Sequence, residues 1–104
     1  MATATVSVLF TDLVGSTELM SRVGPERADD LRRQHFGALR SAIAGRGREV
    51  KNLGDGLMVV FESVTSALAC AAAMQQAIDR RNRKAADEEL SVRIGISSGE
   101  ARCV

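Results

Sequence analysis

The stretch FTDLVGST, Phe10 to Thr17, decides how the rest of the chain is read. It carries an apolar run into an aspartate and then into a small turn of glycine and hydroxyl residues. Val6 to Thr11 is β-branched or apolar at both parities, the pattern of a central strand covered on both faces. Asp12 ends that strand. A carboxylate there must lie at a solvated edge or meet a charged partner, because burying it unpaired is costly. Beyond Gly15, Thr17 to Arg22 forms a short helix with Glu18 in its first turn, complementing the helix dipole. A glycine-containing strand-to-helix turn exposes backbone N–H groups where phosphate oxygens are stabilised.

Outward from this stretch the chain alternates cleanly. Gly24-Pro25 interrupts the short helix, and Pro25 opens a second one whose Ala28, Leu31, Phe36, Leu39 and Ile43 keep one face apolar until Gly45-Arg46-Gly47. Arg48 to Leu53 and Leu57 to Phe61 are β-prone runs joined through Gly54-Asp55-Gly56, a hairpin signal that places Asp55 at the tip. Ser63 or Thr65 caps a third helix carrying Val64, Ala67, Leu68, Ala71, Met74 and Ile78 on one side, closed by the polar run RRNRK. Leu90, Val92, Ile94 and Ile96 alternate with polar or small residues as a half-buried strand. Gly99-Glu100 reads as a turn, with a further strand starting at Ala101. The order β, α, α, β, β, α, β predicts an α+β or α/β sandwich with helices over a mixed sheet.

Totals exclude several classes. The 104 residues are 45% hydrophobic and 26% charged, enough for one globular domain with a modest core and contrary to disorder. Net charge is +1, so there is no basic field for nucleic acid or an anionic membrane. Three Phe with no Trp or Tyr leave no stacking platform for single strands. Cys70 and Cys103 follow no metal or disulfide spacing and read as reduced thiols. The N-terminal apolar run is too short for a signal sequence or a membrane span, which places the expected protein in the cytoplasm.

Two acids, one ending a strand and one at a hairpin tip, converge if the hairpin pairs beside the first strand. Asp12 and Asp55 with an open side then suit magnesium held together with substrate phosphates better than an all-protein cage. Plainer readings stand beside this one. Aspartate is common in Gly-Asp-Gly turns because it tolerates their geometry. Ser16 and Thr17 serve equally as helix caps. Lys51 fits a solvated strand position, His35 a structural role in the long helix, and RRNRK a solvated helix end.

Taken together, VLFTDLVGSTEL, EVKNLGDGLMVVF and VRIGISSGE resemble the first half of a class III nucleotide cyclase catalytic domain, closest to bacterial adenylate cyclase-like domains. The resemblance spans nearly the whole chain, residues 1–104 being a partial catalytic domain whose C-terminal half is absent. It implies a ferredoxin-like βαββαβ sandwich, truncated after the fourth strand, that forms a head-to-tail homodimer with ATP at the interface. By the same resemblance Asp12 and Asp55 bind two Mg2+ or Mn2+ ions, assisted by the Leu13 carbonyl. The turn Val14, Gly15, Ser16 and Thr17 receives the β- and γ-phosphates, and Lys51 contacts adenine from the opposite subunit. The reaction implied is conversion of ATP to cyclic AMP and pyrophosphate.

The Asn and Arg that the family uses on ribose and on the transferring phosphate fall after Ala101, outside this sequence. Without them the chain alone should be nearly or wholly inactive even if it binds Mg-ATP. The alternative is a catalytically silent nucleotide-binding or dimerisation module of a signalling or transcriptional regulator, with a fused regulatory or DNA-binding domain outside this chain. A phosphotransfer receiver or GTPase is excluded by the missing Walker lysine motif and the absence of alternating βα units.

Overall fold

A computed structural model describes the backbone of residues 2–103 and the side chains of residues 5–85 and 87–100. The elements run β1 (Ala2–Leu13), α1 (Ser16–Val23), α2 (Pro25–Ile43), β2 (Arg48–Asn52), β3 (Leu57–Phe61), α3 (Val64–Lys84), a single 3-10 turn (Ala86–Glu88) and β4 (Val92–Cys103). Local chemistry sets their boundaries. Gly24 ends α1 with φ at 86°, Pro25 starts α2, and the Ser63 hydroxyl caps α3 by accepting from the Ser66 amide at 3.1 Å.

The four strands form one sheet in the order β2-β3-β1-β4. That order, with both helical connections on one side, is the ferredoxin-like arrangement that the cyclase resemblance implies, and β1 is an interior strand as expected. Three expectations are corrected. Every pairing is antiparallel, so the sheet is not mixed. Gly99-Glu100 is not a turn: it pairs with Val6 and Thr5, and β4 continues unbroken to Cys103. Its backbone stays extended because β1 supplies partners along its full length, a long-range condition that a local turn signal does not register. Nor is β1 covered on both faces within this chain. Ser7, Leu9, Thr11 and Leu13 are buried, whereas Phe10 and Asp12 are exposed and Val6 and Val8 half-buried.

The buried residues of β1 and β3 meet α2 and α3 in the main core, where Leu9, Leu39, Leu57, Val59, Met74 and Phe61 are at most 1% exposed. Cys70 lies in the same core, and burial pushes its thiol pKa up, which keeps it an inert thiol. The Cys103 side chain lies outside the described residues. A second, smaller core of Leu13, Leu19, Leu31 and Leu90 gathers the end of β1, α1, α2 and the segment leading into β4. It underlies the end of the sheet at which the FTDLVGST turn lies. Asn82 ties this end together, donating to the Leu90 carbonyl at 2.7 Å and accepting from the Leu90 amide at 2.9 Å.

Candidate active site

Asp12 and Asp55 are brought to one end of the sheet by backbone contacts. The Leu13 amide donates to the Asp55 carbonyl at 2.9 Å, and the Leu57 amide donates to the buried Thr11 hydroxyl at 2.9 Å. Gly56 fits between them only because it lacks a side chain: a Cβ there would stand 1.8 Å from the Thr11 carbonyl oxygen and 3.5 Å from the Asp12 Cα. The LGDG tip is therefore pressed directly against Thr11-Asp12, near the end of β1.

The turn after Asp12 is arranged as a helix entrance. Gly15 occupies the left-handed region at φ 70°, and no side chain caps the start of α1. The first amides of a helix have no partner within it, so those after Gly15 are donors for an anion. Val14 differs, because its amide is already bonded to the Ser91 carbonyl at 2.9 Å. The Ser16 hydroxyl donates to Asp55 Oδ2 at 2.9 Å, which joins the turn to the hairpin.

Lys51 reaches this side of the sheet through an irregularity. Glu49 pairs with Val59 but Lys51 pairs with Met58, so Val50 is an extra residue in β2. Such a bulge shifts side-chain parity. It sets Lys51 in the row of Met58 and Phe10, on the open face with Asp12, and Lys51 is exposed there. Glu49 points the other way and pairs with Arg40 of α2 at 2.9 Å, an ion pair that lowers the Glu49 pKa.

Two cations carried no signal in the sequence pattern. Arg32 of α2 donates from Nε to Asp55 Oδ1 at 3.0 Å. Arg93 lies directly across from Asp12 in the β1–β4 register and is exposed. Neither follows from spacing, because only the tertiary register brings them beside the acids. His35 is structural, as expected: it is fully buried in α2 against Phe36. Burial holds its pKa down at about 4, against the opposing pull of Asp12 and Asp55. Neither ring nitrogen has a hydrogen-bond partner among the described residues. The RRNRK run is less solvated than expected, since Arg81 turns inward to the Gln34 side chain and the Glu88 carbonyl.

The donors gathered here are hard oxygens: two carboxylates, a hydroxyl and nearby carbonyls. Among the described residues, no three His, Cys, Asp or Glu side chains converge as an all-protein metal cage. Two carboxylates with an open side fit magnesium or manganese shared with phosphate oxygens.

The fold is that of nucleotide cyclase catalytic domains, and the two acids and the helix entrance lie together at one end of its sheet. The chain belongs to the adenylate and guanylate cyclase catalytic domain family, whose model matches residues 1–104. Domains of this family generally use divalent metal ions. The chain is 34% identical over 97 residues to a protein of Myxococcus xanthus named serine/threonine-protein kinase pkn2, covering 91% of this chain and 12% of that protein. Its fold matches the guanylyl cyclase Cya2 with TM-score 0.82 at 26% identity, covering 95% of this chain and 56% of that one. It also matches an adenylate/guanylate cyclase/hydrolase from Silicibacter pomeroyi with TM-score 0.71 at 31% identity, covering 96% and 59%. The chain thus spans little more than half of these solved cyclases and a small part of the kinase-named relative. Among the described residues, no helix is long and apolar enough to cross a membrane.

Proposed function

We propose that residues 1–104 are the first part of an adenylate cyclase catalytic domain that converts ATP to cyclic AMP and pyrophosphate. The observation that carries this reading is the docking of the LGDG tip on the end of β1, which sets Asp55 beside Asp12 at a helix entrance. Asp12 and Asp55, with the Leu13 carbonyl, would hold two Mg2+ or Mn2+ ions. Bound there, such ions would supply charge neutralisation of the triphosphate and a lowered pKa for the ribose 3′-hydroxyl. The amides of Gly15, Ser16 and Thr17 donate to the β- and γ-phosphates, with the Val14 amide retained by Ser91. The 3′-oxygen attacks the α-phosphorus in line as its proton passes to solvent water, and the bond to the bridging oxygen breaks to release pyrophosphate.

Lys51 is the adenine contact, and its place on the open face supports donation to a nucleotide held by a second copy. Phe10, 41% exposed on that face, supports a head-to-tail homodimer that covers it. We place the protein in the cytoplasm, with this domain fused to a regulatory or DNA-binding domain. The second reading is a silent nucleotide-binding or dimerisation module.

Cyclic AMP formation from Mn-ATP, with GTP in parallel, decides between them. The full-length protein should turn over ATP and lose activity on chelation, while the 104-residue chain is inactive. A full-length protein that binds Mn-ATP without turnover would establish the silent module.

A further inference from the structure

Asp55 makes a contact that the proposed metal site does not use. Both of its carboxylate oxygens are engaged, Oδ1 by Arg32 Nε at 3.0 Å and Oδ2 by Ser16 Oγ at 2.9 Å. The Arg32 guanidinium is held at a second point as well, with Nη1 donating to Asp29 Oδ1 at 2.7 Å. Asp29 lies one turn earlier on the same helix and is 58% exposed, while Arg32 is only 23% exposed.

We propose that Arg32 is a latch on Asp55: its guanidinium competes with a divalent cation for this carboxylate and moves onto Asp29 when the cation binds. The inference rests on the reading of Asp55 as a metal ligand. Charge supplies the first reason. A guanidinium fixed at hydrogen-bond distance from the oxygen that receives a dication repels that dication, and more strongly at a half-buried position than in bulk water. The second reason is the ready alternative partner. Because Nη1 already rests on Asp29, Arg32 leaves Asp55 without losing its ion pair, so release requires a change of side-chain torsions only. The latch also keeps the hairpin tip tied to α2, and the Asp55 side chain ordered, independently of the ion.

An opposite role is physically definable. A hydrogen-bonding residue behind a metal-binding carboxylate orients it and raises metal affinity. The two roles differ in the sign of one measurement, the Mn2+ dissociation constant of the full-length protein without nucleotide, read from the electron paramagnetic resonance signal of free Mn2+.

Arg32→Gln should tighten Mn2+ binding by about threefold, the scale of a partly exposed ion pair. Asp29→Asn, which leaves the guanidinium with Asp55 alone, should weaken it by about twofold. Unchanged or weaker binding in Arg32→Gln overturns the latch, and weaker binding assigns Arg32 the orienting role. If Arg32→Gln fails to fold, as a urea melt would reveal, Asp29→Asn decides: weaker binding supports the latch, and equal or tighter binding overturns it. Asp55→Asn separates the two levels of the inference. If the unaltered protein binds no Mn2+, or binds it equally after Asp55→Asn, the metal reading and the latch fall together. If Asp55→Asn abolishes binding while Arg32→Gln leaves it unchanged, the latch alone falls.

Discussion

Leu9 and Phe10 are neighbours in β1, yet Leu9 is 0% exposed in the helix-covered core and Phe10 is 41% exposed on the open face. The same contrast runs across the sheet. On the covered face Leu57, Val59 and Phe61 pack against α2 and α3. On the open face Asp12, Lys51 and Arg93 stand exposed around Phe10. Alternation in a strand gives each face its own residues, so one set can hold the fold while the other meets a ligand or a second copy. At Asp55 and Gly56 the two roles meet, because the tip is bonded to the core strand and also presents a carboxylate.

That junction is where a single change should do most damage. Gly56→Ala forces a Cβ to 1.8 Å from the Thr11 carbonyl. It should cost at least about 3 kcal/mol in urea unfolding and also remove nucleotide turnover, since the hairpin must lift away from β1. A fully active Gly56→Ala protein would separate the hairpin's docking from the chemistry. Away from the junction the faces should respond differently. Leu9→Ala should cost about 3 kcal/mol by transfer and cavity formation. Phe10→Ser should shift unfolding by less than about 0.5 kcal/mol at low protein concentration, yet weaken self-association in sedimentation. Equal destabilisation by the two would erase the distinction between faces.

His35 gives the covered face a pH dependence. Its folded pKa of about 4 lies below the ordinary 6.5, so the unfolded chain binds more protons between those values. Stability is therefore full above pH 6.5 and declines as pH falls toward 4, by about 2 kcal/mol between pH 7 and pH 5. His35→Leu should flatten that decline. It should also stabilise the protein at pH 7 by about 1 kcal/mol, because two buried nitrogens without partners are removed. A melting temperature that falls as steeply with acid in His35→Leu would assign the decline to other groups.

Much of the fold was legible because local signals agreed with their surroundings. The Gly24-Pro25 break, the Ser63 cap and the hairpin at Asp55 each depend on a few adjacent residues, and all three stand. What failed depended on partners distant in sequence. Gly99 reads as a turn residue until β1 is seen to pair beside it, and the apolar parities of β1 reveal neither which face the helices cover nor that the other stays open. The positions of Asp12 near a strand end and of Asp55 at a hairpin tip were legible, because each depends on adjacent residues. Arg32 and Arg93 were not: one is among several helix arginines and the other lies in an alternating strand, so only helix packing and register place them by the acids. The parity of Lys51 was hidden too, because the extra residue at Val50 leaves no mark in composition.

On the proposed reading, the open face performs chemistry that the covered face does not need for its stability. Asp12→Ala in the full-length protein tests it most directly, with Mn-ATP turnover and the urea unfolding midpoint measured on one preparation. Turnover should fall by at least about a thousandfold while the midpoint stays within error, as for an exposed residue whose role lies in the transition state. Retained turnover, or a midpoint that falls together with activity, would contradict the account.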